Sequence, residues 1–171
     1  LAPELFVQVD TQDKSIQLEK FLISAGVEIL PLLSTQREFS GQSIELYGVR
    51  VGSTYRQNWA FLGAFPNAWN KVQAGHAIIV NEQLARRANL WLGDPIKLTP
   101  NLTLPIAAVV ADYGNPLGQM IVAENKFKEL YPDIYPQQFG IRTQDVTKMR
   151  SIITEALGIT DSAMVNQTTI K

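Results

Sequence analysis

The sequence predicts an α+β fold: a split βαβ sheet with two helices on one face, and an inserted β-rich subdomain. Three observations carry that prediction. A strand, an amphipathic helix, a glycine stop and a returning strand occur near both ends of the 171-residue chain, and two such units can join one sheet with both helices on one side. The stretch between them is mostly strand-like, with one clear helix. Within that stretch, Gly75 to Leu98 read as strand, helix, tight turn and strand in close succession. The prediction assigns residues 1–38 and 124–171 to the α/β subdomain and 39–123 to the insertion.

Each element has its own reason. Residues 5–10 alternate as a short strand, and Asp13 or Ser15 can cap the following helix by accepting from its first backbone N–H groups. Leu18, Phe21, Leu22 and Ala25 recur at i, i+3, i+4, i+7 as an apolar stripe, and Gly26 supplies the left-handed stop before a strand over 27–33. Residues 43–49 alternate. Residues 51–73 favour no element. Residues 77–80 are apolar and partly β-branched. Asn81 can cap a helix reaching 90, Glu82 suits its positive end, and Glu82 can pair with Arg86 one turn on. Leu84, Ala88 and Trp91 fall on one face of that helix, Arg86 and Arg87 on the other. Gly93-Asp94 is turn chemistry, and Pro95 opens the outgoing strand. Residues 98–111 hold two strand candidates around Pro100-Asn101, residues 118–123 another, and 126–130 a short helix bounded by Pro132. At the far end 138–143 form a strand, Asp145 caps, Val146, Met149, Ile153 and Ala156 make the stripe, Gly158 stops the helix, and 162–166 return.

Composition narrows the function classes. Hydrophobic residues make up 46% of the chain, enough for a substantial core. Fifteen basic and sixteen acidic side chains are scattered, for a formal charge of −1. No basic stripe marks a nucleic-acid partner. The absence of cysteine excludes disulfides, thiol nucleophiles and thiolate metal sites. The longest apolar run, 104–111, is far short of the roughly 20 residues that cross a bilayer as a helix. With no initiating Met and no basic-then-apolar leader, the chain is expected to be a segment of a longer or processed protein.

No residue constellation predicts catalysis. His76 is the only histidine, and a structural or solvated role is expected for it. G-x-S-x-G, spaced-aspartate calcium loops and both phosphate-binding glycine patterns are absent, so no metal or cofactor is expected and any ATP is handled elsewhere. Asn101 and Asn166 open glycosylation-type triplets of a kind that arises by chance. The candidate contact site is the segment 59–69, which concentrates Trp59, Phe61, Leu62, Phe65 and Trp69. Aromatics are mostly core residues, yet Gly63, Pro66 and Asn67 keep the segment irregular and allow a partly exposed patch. Asp112-Tyr113-Gly114-Asn115-Pro116 concentrates turn formers, which suit a surface hairpin or a loop that touches a partner. Trp59, Phe65, Trp69, Asp112, Tyr113 and Asn115 are therefore the candidate contact residues.

The block in which a strand runs into Asn81-Glu82-x-Leu84-Ala85-Arg86-Arg87 and a short helix ends at Leu92-Gly93-Asp94 resembles the extracytoplasmic domains of the FtsX/MacB-like ABC transporter permeases. Ala25-Gly26-Val27, a strand ending at Pro31, and Tyr47-Gly48-Val49 extend that resemblance over nearly the whole chain. Asp112-Tyr113-Gly114-Asn115-Pro116-Leu117-Gly118-Gln119 and Val165-Asn166-Gln167 look like the subgroup of large permeases encoded beside a lipocalin-like secreted protein. The resemblance implies a porter-like α/β subdomain with an inserted β-rich one. It also implies membrane helices in the parent protein, a cytoplasmic ATPase partner, and a place on the periplasmic side of the bacterial inner membrane. ATP-driven motion would there work on a lipid, lipoprotein, peptide or partner protein, with no catalytic residue in this domain. Two rival classes stay open: a stand-alone periplasmic ligand- or protein-binding module with an apolar pocket, and a small hydrolase using His76 with Asp94 or Asp112. Flanking membrane helices would separate them.

Overall fold

A computed structural model describes residues 3–52, 59–111 and 115–166. In chain order the described elements are β1 (Leu5–Gln8), α1 (Gln12–Ser24), β2 (Ile29–Phe39), β3 (Gln42–Val49), β4 (Phe61–Ala64), α2 (Ala68–Gln73), β5 (Ile78–Asn81), α3 (Glu82–Ala88), β6 (Pro95–Thr99), β7 (Leu102–Val110), β8 (Gly118–Ala123), α4 (Glu124–Leu130), β9 (Gln138–Ile141), α5 (Val146–Leu157), a 3₁₀ turn (Asp161–Ala163) and β10 (Met164–Asn166). Two compact units divide the chain, Leu1–Leu33 with Asp133–Lys171 and Ser34–Pro132.

In the first unit the strand order is β10-β1-β9-β2, every neighbour antiparallel. Leu5 sits opposite Ile141, which sits opposite Ile29, and on its other side Leu5 faces Asn166. Leu18 and Leu22 of α1 and Ile153 of α5 share one core with Leu5, Val7, Ile29, Phe139 and Ile141. The split βαβ sheet with both helices on one face is therefore present. The cap of α1 is Thr11, whose Oγ1 accepts from Lys14 N at 3.2 Å, not Asp13 or Ser15. The helix begins one turn early because Ser15 is needed inside it, where its buried hydroxyl donates to the Pro136 carbonyl at 2.7 Å. Gly26 takes the left-handed conformation (φ 72°). Asp145 caps α5 through Lys148 N at 3.0 Å, and Gly158 (φ 67°) ends it. Ala25 and Ala156 are exposed; they close their stripes too late, and Leu157 packs on the core in place of Ala156. Residues 162–166 are only partly strand, since the 3₁₀ turn occupies the first two.

In the second unit the order is β2-β3-β8-β5-β7-β4, with β6 on β7. Ser40 (φ 53°) and Gly41 (φ 77°) are the paired left-handed residues of a two-residue hairpin between β2 and β3. β3 and β8 are parallel from Ile44 opposite Gly118 to Val49 opposite Ala123. Helix α4 lies on them so closely that a Cβ on Gly48 would sit 2.5 Å from that of Phe127. Arg50, just past β3, grips Glu124 at the start of α4 with Nε and Nη2, each 3.0 Å from a carboxylate oxygen. The Asn81 cap and the Glu82–Arg86 pair are as expected. Asn89 turns left-handed (φ 54°), so α3 stops at Ala88 and Trp91 does not belong to its buried face.

Candidate functional site

β4 is the outermost strand of the second unit's sheet, antiparallel to β7, with a register shift between Phe61 and Gly63. Alternation along it leaves Phe61 and Gly63 half-buried and Leu62 and Ala64 exposed. Behind the half-buried face stands Trp69 of α2, 5% exposed, its ring 5.4 Å from Trp59 in an edge-on pair and 6.0 Å from Phe61. Trp69 is thus a core anchor and Trp59 is half-buried against it. Phe65 is different: 38% of it is exposed, and Lys71 Nζ lies 5.2 Å from its ring centroid.

The backbone pins this edge to β7. Phe65 N donates to Ala107 O and Gly93 N to Ile106 O, both at 2.9 Å. Gly93 carries φ 86°, and a side chain there would come within 3.6 Å of the Phe65 ring. A Cβ on Gly63 would lie 2.7 Å from Trp91 Cζ2. The indole therefore rests directly on the β4 backbone while 47% of Trp91 stays exposed. Asp94 holds the turn below it, accepting from Trp91 N at 2.8 Å. Phe65 and Trp91 are partly exposed apolar side chains beside β4, and Leu62 is exposed on the strand itself.

Among the loop candidates, Asp112 and Tyr113 lie outside the described residues. Asn115 accepts from Leu117 N at 3.0 Å, an Asx turn leading into β8. In strand order β5 and β7 separate β8 from β4. What holds this approach to β8 is Asn81, a fully buried residue. Its Oδ1 accepts from Leu84 N (3.1 Å) and Gln119 N (2.9 Å), and its Nδ2 donates to Leu117 O (2.9 Å). The sequence shows the first of these roles, the helix cap; the other two depend on β8 lying beside β5. His76 is an exposed residue before β5.

No protein-family model matches the chain, and no curated protein sequence does. Solved structures do. The extracellular domain of the ABC-type transporter YknZ from Gram-positive bacteria is similar over 98% of this chain and 100% of its own, at 15% identity and a TM-score of 0.60. The periplasmic region of MacB from Actinobacillus actinomycetemcomitans is similar over 97% of this chain and 89% of its own, at 12% identity and a TM-score of 0.65. At such identities the likeness is one of fold. The fold is the one seen in these two extracytoplasmic transporter domains. Among the described residues no helix is long and apolar enough to cross a membrane.

Proposed function

We propose that this chain is the extracytoplasmic domain of an ABC transporter permease in the bacterial inner membrane. There it couples ATP hydrolysis by a cytoplasmic partner to work on a lipid, lipoprotein, peptide or protein on the periplasmic side. The observation that carries the reading is the pairing of Leu5 with Asn166 on the neighbouring strands β1 and β10. The chain runs into and out of the first unit at one end of one sheet, as suits a domain held between two membrane helices. In this reading residues 1–38 with 124–171 form a porter-like body and residues 39–123 its insertion. The 112–119 stretch favours the permease subgroup encoded beside a lipocalin-like protein.

The domain works in this reading without a reactive centre. Its tasks are stiffness, so that coupling free energy passes through packed elements, and a surface for cargo or a partner. Of the candidate contact residues, Phe65 meets that partner together with Trp91. Trp59 and Trp69 support the segment from within, and Asp112, Tyr113 and Asn115 form a second contact. Membrane fractionation of the full-length protein, with reporter fusions on both sides of the domain, tests the reading. Membrane retention with the domain outside is expected, together with cargo movement that stops when the partner ATPase is inactivated. A freely soluble full-length protein would mean a stand-alone binding module.

A further inference from the structure

Among the described residues β10 spans Met164–Asn166 and pairs with β1; of these side chains only Met164 is buried, and Val165 is 41% exposed. A guanidinium on α5 adds to this pairing. Arg150, in the second turn of α5, donates from Nε to Asp161 Oδ1 at 2.9 Å, from Nη2 to the Asp161 backbone carbonyl at 3.1 Å, and from Nη1 to Asn166 Oδ1 at 2.7 Å. Nη2 also lies 2.8 Å from Asp161 Oδ1, and the Arg150 side chain is only 20% exposed. One planar fork therefore spans the 3₁₀ turn before β10 and the last residue of β10 itself.

We infer that Arg150 is a positioning residue that fastens the outgoing strand β10 to helix α5, and that it carries load from the following chain into the first unit. The second clause rests on the permease reading; the first stands on geometry. A lysine cannot replace it, because an ammonium is a point charge and does not present a rigid fork to three acceptors at once.

Hydrogen exchange on the full-length protein tests the fastening, and transport per ATP hydrolysed in proteoliposomes tests the load. Arg150→Ala is expected to speed exchange by about tenfold or more at those N–H groups of residues 164–166 that donate to β1, the scale of lost charge-assisted hydrogen bonds, with Ile121 and Val122 of β8 unchanged. Arg150→Lys should recover little of this. The double variant R150A/D161A should be no worse than R150A, as expected for residues acting as one unit. Transport per ATP should fall several-fold in Arg150→Ala. Unchanged exchange at residues 164–166, or an equal rise across β8, overturns the fastening. Local loosening with undiminished transport per ATP overturns the load. Failure of the membrane reading leaves the exchange comparison intact and is visible separately, as a soluble parent protein.

Discussion

Trp69 and Phe65 belong to one short segment, yet their surroundings assign them opposite behaviour. Trp69→Ala empties a site packed by Trp59 and Phe61 and is expected to cost about 3–5 kcal/mol. Phe65→Ala and Trp91→Ala alter side chains already open to water and should change stability by less than about 1 kcal/mol, while under the proposed function transport by the full-length protein falls. Urea unfolding and transport measured on the same three variants check both statements. Asn81 is the residue whose loss should be felt furthest from its own element. Asn81→Ala strands the Leu84 and Gln119 N–H groups and the Leu117 carbonyl, for an expected cost of about 2–4 kcal/mol. Asn81→Ser retains a cap and should recover part of it, as thermal melts of the two variants would show.

Two glycines decide how tightly elements lie on one another, and they differ in what yields. Alanine at Gly48 meets the root of Phe127, a fully buried side chain, so α4 must lift from β3, with a loss of about 1–3 kcal/mol in urea unfolding. Alanine at Gly63 meets the outer rim of a half-exposed Trp91, which can swing away. Stability should hardly change while the tryptophan emission shifts to the red. Elements with a local signal were legible beforehand: α1 and α5 from their periodicity and stops, α3 from its cap, β3 from alternation, β8 as an apolar run, β6 and β7 from the turn between them. The second half of β2 was not, because Ser34 to Glu38 carry no apolar alternation and owe their extended form to β3. β4 and α2 escaped for a similar reason, since β7 pins one and the aromatic cluster fills the space beside the other. The choice of Thr11 over Asp13 or Ser15 turns on Pro136, far along the chain. In the candidate site the aromatic segment was legible, but the exposure of Trp91 was not, because its helical spacing hid the left-handed Asn89 that ends α3.

For the molecule as a whole, the pairing of Leu5 with Asn166 predicts that the order of the chain can be changed without changing the fold. Joining residues 3 and 166 through about six Gly/Ser residues and opening the exposed Ser40–Gly41 turn should give a circular permutant that melts close to the parent. A permutant that fails to fold would contradict the adjacency of β1 and β10. The same topology governs how the protein is made. Both ladder neighbours of β1 come from the last third of the chain, Gln8 facing Gln138 and Val7 facing Met164, and β3 waits for β8 across the whole length of β4 to β7. β7 follows its own ladder partners β4, β5 and β6 and can pair as it emerges, whereas β1 has no neighbour until β9 and β10 are made. Such long-range closure is slow. The interval between the synthesis of α1 and that of β9 is therefore the period when the first unit most depends on protection from aggregation.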